Sequence, residues 1–560
     1  MGMRRFVILI TALLLVALPA APGGASADAD PVDCLRDLAG LDLQHVTIPQ
    51  LQQALGEGRI TSRQLVERYL ARIAAFDGAG PQLNGVRELH PDALGQADQL
   101  DAERAAGQVR GPMHGIPVLL KDNIGTADMP TTAGSIALEG NIPDADAFLV
   151  KRLRDEGAVI LGKAELAEFA NWVDLNMPNG FSSLGGQVLN SYNVGRNPSG
   201  SSSGSATSGA MAYAAVTIGS ETSGSILSPA EIQGLAAVKP TVGLVSRSGV
   251  IPLAPSWDTT GPMVRNVTDA AVLLGATAGV DPTDPRSLES RPHLPPALDY
   301  RPFLRTDALA GVRLGVTSRT PSSAVLRAAY DELERQGATL VTIGNFGTMA
   351  NFGLTELGAV ANEFKAYLDQ YLTTVANPPS GVRSLVDVVA YSQQHSDRYP
   401  YGNKLLVASA TQPGSPEGNA LAGTAPPLST IPQSVAITQA SRAIIDQTLA
   451  DYDLNAIASS GTGTYQIGAA AGYPTVAVPA GATSSGRSPV NLAFLGTAWT
   501  EPQLLAFAYD YEQATLARVP PTEVNADELA TEACPQGGAG PAAPGVAAVA
   551  AAFDSWTPAS

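Results

Sequence analysis

Three short stretches carry the chemistry of this chain. Lys121 closes an apolar run, GIPVLLKDN (Gly115 to Asn123). A first Gly/Ser loop, NPSGSSSGSA, runs from Asn197 to Ala206, and a second, GSETSGSILSPA, from Gly219 to Ala230. A lysine that enters a packed core loses the hydration of its ammonium form, so its pKa falls toward the range of a general base. Serine hydroxyls supply a relay and a nucleophile, and a Gly/Ser loop supplies backbone N–H donors for a developing oxyanion. Together these parts make an acyl-transfer site that needs no histidine. Lysine occurs at only six positions (121, 151, 163, 239, 365 and 404), which makes its place after Pro117-Val118-Leu119-Leu120 informative.

Other chemistries fit less well. Gly/Ser loops also cradle phosphates, but no GxxxxGK[ST] and no GxGxxG sequence occurs. Gly200-Ser201-Ser202-Ser203-Gly204 fits the G-x-S-x-G nucleophile elbow, which would make Ser202 an esterase nucleophile. That elbow needs a preceding strand, which Asn197-Pro198-Ser199 does not suggest, and a later acid and histidine. His293 and His395 are the only later histidines, both in polar or Pro-rich surroundings. His45, His90 and His114 read as structural or surface residues, His114 packing just ahead of the lysine run. With no HExxH and no paired Cys/His spacing, neither metal nor cofactor is expected. Asp122 reads either as an orienting partner of the lysine or as the cap of the turn that follows it.

The elements that must hold these residues alternate. Residues 47–76 read as two amphipathic helices started by Thr47 and by Thr61-Ser62. Residues 150–157 then 159–161 read as helix then strand. Leu314–Val316, Thr339–Val341, Ala456–Ala458 and Thr475–Val478 read as short buried strands, and Ala206–Ile218 as a buried helix. The pattern predicts an α/β fold with helices on both faces of a sheet. No internal repeat or long central linker divides the chain.

GIPVLLKDN, SGSSSGS and GSETSGSILSPA resemble the amidase signature family, whose pattern is a lysine after a GIP-like run, a GGSSGGS loop and a GTDTGGSIRxPA loop. The 24 positions from Ser201 to Ser225 match the family's spacing. The resemblance runs from about Val46 to Pro521 and takes in Lys239–Met263, Gly472–Gly481 and Leu492–Thr515, the last two similar to the family's closing strands and helix. It implies one large α/β/α domain with a mixed central sheet. Carried over by motif, Lys121 is the base, Ser201 the relay serine after a cis peptide bond, and Ser225 the nucleophile. The backbone N–H groups of Thr222, Ser223, Gly224 and Ser225 form the oxyanion hole. Neutral Lys121 then takes a proton from Ser201, which takes one from Ser225 as the latter attacks an amide carbonyl.

Departures from the pattern narrow the reading. Glu221 stands where Asp is usual, Ser223 and Leu227 where Gly and Arg are usual, and Ser199 and Ser203 where glycine is common. These variants, with EFKAYLDQYL (Glu363 to Leu372) and SLVDVVAYSQQHS (Ser384 to Ser396), are similar to the branch containing bacterial peptide amidases. The resemblance to the tRNA-dependent amidotransferases is weaker. The expected activity is hydrolysis of a linear carboxamide to acid and ammonia, with C-terminal peptide amides as the substrate. The alternatives are fatty-acid or aryl amides, and a non-catalytic protein that binds an amide or anion. Residues 345–432 are the least family-like and are expected to shape the substrate pocket.

Arg4 and Arg5, the apolar run Phe6 to Leu18 and Ala25-Ser26-Ala27 read as a signal peptide over residues 1–27. The paired arginines leave the Sec and twin-arginine routes open. Residues 28–535 are the expected amidase domain and 536–560 a Gly/Ala/Pro tail. Export gives the two cysteines meaning: Cys34 and Cys534 are expected to pair and tie the ends of the mature chain. A net charge of −18 over 560 residues argues against nucleic acid as a partner, and no stable membrane anchor is expected.

Overall fold

Five consecutive residues of the strand Pro117–Lys121 are buried. Side chains alternate between faces along a strand, so burial of every one means that both faces of the sheet are covered here. The computed structural model describes residues 33–344, 346, 352–411 and 432–531. Residues 1–27 and 536–560, Cys534 and part of the 345–432 region therefore lie outside, or partly outside, the described residues.

One sheet of eleven strands runs through the molecule: β1 Val86–Leu89, β2 Pro117–Lys121, β3 Val159–Ala164, β4 Val216–Glu221, β5 Ala236–Lys239, β6 Thr259–Val264, β7 Arg313–Val316, β8 Thr339–Thr342, β9 Ala456–Ser460, β10 Thr475–Ala482 and β11 Pro489–Leu495. Their order is β8-β7-β9-β11-β10-β5-β6-β4-β2-β3-β1. Pairing is parallel for β2 with β3 and β4 and for β7 with β8 and β9, and antiparallel elsewhere. The helix Ser203–Ala210 packs on β2 and β4, Val267–Thr277 on β5 and β6, and Glu501–Thr515 on β10 and β11. The fold is the mixed α/β architecture expected from the sequence, in a single domain.

Local chemistry explains most of the element starts. Thr47 and Thr61 cap the helices Ile48–Gly56 and Ser62–Ile73, each in a reciprocal capping box with a glutamine three residues on. All four short strands foreseen between residues 314 and 478 form, lengthened by one to four residues.

Ala206–Ile218 is not one helix. The helix stops at Ala210, and Val216–Glu221 becomes β4. The β-branched Val216, Thr217 and Ile218 pair with Val118, Leu119 and Leu120 on one side, and Ile218 and Thr217 face Pro262 and Met263 on the other. Those non-local pairings override the Ala-rich helical pattern.

The described part of 345–432 is helical: Phe352–Thr374, Leu385–Gln394 and Lys404–Ala410. Phe364, Leu368, Leu385 and Leu406 form a second core with Ile136, Leu138, Trp172 and Trp257. This body lies beside the sheet and walls the cavity described below.

Candidate active site

β2 and β4 are parallel neighbours, with Leu120 opposite Ile218. Their C-terminal ends, which carry Lys121 and Ser220-Glu221, therefore lie side by side, the usual place for a site in such a sheet. Lys121 Nζ is 2.8 Å from Ser201 Oγ, 2.9 Å from Ser220 Oγ and 3.2 Å from the Ser220 carbonyl oxygen. Three partners suit both states of the amine. The ammonium donates to all three, and the neutral amine donates two protons and accepts one from Ser201. Asn123 Nδ2 donates to Ser220 Oγ at 2.9 Å and fixes that hydroxyl. Lys121 is wholly buried, and burial lowers its pKa from 10.5 to about 7 against the pull of Asp258 and Glu221.

Ser201 sits where the first Gly/Ser loop enters the helix Ser203–Ala210. The Gly200–Ser201 peptide bond is cis. The Ser201 carbonyl accepts from Ala167 N at 3.0 Å. The helix can start this close to the sheet because residue 204 is glycine. A Cβ there would lie 2.4–2.5 Å from backbone atoms of Glu165 and Gly85. The two unusual serines of this loop are tied in: Ser203 Oγ donates to the Ser199 carbonyl at 2.5 Å, and Ser199 Oγ pairs with Ser228 Oγ at 2.7 Å.

The second loop meets the first where Ser202 N donates to the Ser225 carbonyl at 3.3 Å. Exposure falls from 8 % at Ser225 to 1 % at Ser201 and 0 % at Lys121, so Ser225 is the least buried of the three. Gly224 turns the loop at φ +85°, and a Cβ there would strike the Tyr465 ring at 2.5 Å. Glu221 braces the loop from inside, its Oε2 accepting from Ile226 N at 2.8 Å and Leu227 N at 3.0 Å. Among the described residues, the N–H groups of Thr222, Ser223 and Ser225 have no intramolecular acceptor. Burial raises the Glu221 pKa, and burial lowers that of Lys239 to about 8; each charge opposes the shift of the other. Leu227 packs with Ala477, Ala493 and Tyr465.

Asp122 does not orient Lys121. Its carboxylate accepts from Thr132 and lies 4.0 Å from Lys163 Nζ, while its carbonyl accepts from Thr132 N and Ala133 N. It closes the turn after β2. Ser202 is equally occupied: its Oγ donates to the Ser220 carbonyl at 3.0 Å and accepts from Ser220 N at 3.2 Å. His293 stacks on Trp499 and His395 on Tyr391, and neither bonds to Ser202. His114 is buried with its ring between Arg110 N and the Leu100 carbonyl, a packing role. Among the described residues no His/Cys/Asp/Glu group could hold a metal ion.

Sequence reasoning missed Ser220, Asn123 and Asp258. The first two lie inside the quoted motifs and differ from their neighbours only in where the strand ends point them. Asp258 accepts from Thr222 Oγ1 at 2.6 Å and from the Leu253 and Ala254 amides. It also lines a cavity of about 990 Å³ walled by Tyr367, Tyr371 and Thr438, so Asp258 stands between that cavity and Thr222 of the loop carrying Ser225.

The Amidase family profile matches residues 64–505. The chain belongs to the Amidase family. This amidase is 41 % identical to peptide amidase from Stenotrophomonas maltophilia, covering 85 % of this chain and 98 % of that one at a TM-score of 0.77. It is 40 % identical to a probable amidase of Arabidopsis thaliana, over 86 % of this chain and 92 % of that protein. A glutamyl-tRNA(Gln) amidotransferase polypeptide of Microcystis aeruginosa is 32 % identical over 84 % of this chain and 97 % of its own length. The amidase is a hydrolase of carbon–nitrogen bonds, which sets aside the non-catalytic binding reading.

Proposed function

We propose that this amidase is exported and hydrolyses C-terminal peptide amides through a Ser225 acyl-enzyme, with Ser201 as relay and Lys121 as base. The observation that carries the mechanism is the 2.8 Å contact between Ser201 Oγ and the wholly buried Lys121, whose pKa is about 7. Neutral Lys121 accepts the Ser201 proton while Ser201 accepts that of Ser225, and Ser225 Oγ bonds to the amide carbon. Of the four N–H groups expected to form the oxyanion hole, those of Thr222, Ser223 and Ser225 are free to meet the oxyanion, each worth about 3 kcal/mol in such sites, while that of Gly224 is held by the Glu221 carboxylate. The proton returns through Ser201 to the nitrogen, the C–N bond breaks and ammonia leaves. Water then enters by the same proton path and releases the acid.

The peptide-amide substrate is supported by the 41 % identity to a peptide amidase and by a cavity of about 990 Å³ lined by Asp258, the partner of Thr222, with room for several residues of a peptide. Export rests on Arg4-Arg5, the apolar Phe6–Leu18 run and Ala25-Ser26-Ala27, all outside the described residues. The test is ammonia release by protein lacking residues 1–27, offered a C-terminally amidated peptide, a fatty-acid amide and an aryl amide, beside Ser225→Ala. Ammonia from the peptide amide, abolished in the variant, supports the reading. Turnover of another amide alone moves the substrate, and undiminished turnover by Ser225→Ala removes the nucleophile.

A further inference from the structure

Three guanidinium groups line the cavity that Asp258 separates from Thr222 of the Ser225 loop: Arg247, Arg286 and Arg442. They are not equally occupied. Arg247 is bound by both oxygens of Asp284 and by the Pro255 carbonyl. Asp284 is saturated, since it also accepts from the amides of Arg247 and Arg286. Arg286 pairs with Glu289 at 2.9 Å. Arg442 has no carboxylate within salt-bridge distance among the described residues. Its Nε donates to the Ala471 carbonyl at 2.8 Å and its guanidinium lies over the Tyr473 ring at 5.4 Å. Those two contacts fix the plane of the group; its terminal amino groups make no hydrogen bond among the described residues, and the residue lines the cavity. Asp446, the nearest acid on the same helix, is engaged by the Tyr473 hydroxyl at 3.0 Å. Arg286 is held below its usual pKa, first by burial and then, against Glu289, by the fields of Arg442 and Arg247. The cationic groups thus stand close enough to oppose one another, an arrangement that an incoming anion relieves.

We infer that Arg442, with Arg286 beside it, forms a carboxylate-binding subsite of the substrate cavity, so that this amidase prefers peptide amides bearing an acidic side chain upstream of the terminal amide. A planar guanidinium held on an aromatic ring is preorganised for bidentate carboxylate binding, which makes the contact specific for a carboxylate over its amide isostere. The protein's net charge of −18 disfavours anions at long range, so the preference comes from the local contact and adds little to the rate of encounter.

This inference rests on the peptide-amide reading, and one experiment separates the two. Ammonia release is measured for matched amidated peptides carrying Glu, Gln or Lys at successive positions upstream of the amide, at low and high salt. The expected result is a kcat/KM about tenfold higher for Glu than for Gln at one position, lowest for Lys, with the Glu advantage shrinking in salt. In Arg442→Gln that ratio collapses toward one, and Arg442→Lys restores part of it. Equal turnover of the three wild-type series, or a preference for Lys, overturns the subsite while peptide-amide hydrolysis stands. Silence on every peptide, with turnover of other amides, overturns both.

Discussion

Lys121 gives the account its sharpest quantitative handle. The side chain is wholly buried and its pKa falls from 10.5 to about 7, chiefly through loss of hydration. At pH 7 about half of such a lysine is neutral, against roughly one in 3,000 for an ordinary lysine, so burial raises the supply of base about 1,500-fold. The predicted profile of kcat/KM climbs roughly tenfold per pH unit below about pH 6 and levels above about pH 8. Removing a negative neighbour that favours the ammonium moves the limb to lower pH, and Glu221→Gln does this.

Stability follows the same proton. The folded pKa lies below the unfolded one, so between about pH 7 and 10.5 the unfolded chain binds more protons and stability rises with pH. The destabilising contribution is fully present below that window, at about 4 kcal/mol near pH 7 as an upper limit. Lys121→Met removes the penalty together with three hydrogen bonds. Its melting temperature relative to wild type is therefore best at about pH 6 and worsens toward about pH 10. Initial rates of ammonia release and thermal melts across this range check both arms. A flat kcat/KM profile, or an acid limb near pH 10, would refute the reasoning.

Glu221→Ala strips the acceptor from the Ile226 and Leu227 amides and the nearby charge from buried Lys239; kcat falls roughly 10²-fold and stability drops by about 2–4 kcal/mol, with Glu221→Asp recovering part of both. Asp33→Ala leaves Arg72 buried with its partner gone, since both oxygens of Asp33 engage that wholly buried guanidinium; chemical denaturation reads a loss of about 3–5 kcal/mol with little change in kcat. Thiol titration of the denatured, unreduced protein finds no free thiol if Cys34 and Cys534 pair, and reduction then lowers the melting temperature; two free thiols count against the pair.

The part of the site that was legible lay in type and order: a lysine at the end of an apolar run and two Gly/Ser loops between apolar stretches. Strand runs such as Leu314–Val316 were legible because burial on both faces leaves a continuous apolar signature. The error at Ala206–Ile218 has the same root, because a continuous apolar run does not distinguish a buried helix from a buried strand. Ser220 and Asn123 were out of reach for another reason: their roles depend on β2 and β4 ending side by side, a pairing between residues almost a hundred positions apart. The guanidinium groups of Arg247, Arg286 and Arg442 are scattered over 196 positions, and only the folded cavity gathers them. Glu221 was visible as a departure, but its reach to the Ile226 and Leu227 amides was not.

The most direct test of the central claim is to trap the acyl-enzyme. Protein lacking residues 1–27 is mixed with an amidated peptide, quenched in acid within the first turnover and mapped by mass spectrometry. The account predicts an adduct equal to the peptide less ammonia, attached at Ser225, absent in Ser225→Ala and scarce below about pH 6. An adduct at Ser202, or an adduct that persists in Ser225→Ala, would contradict it.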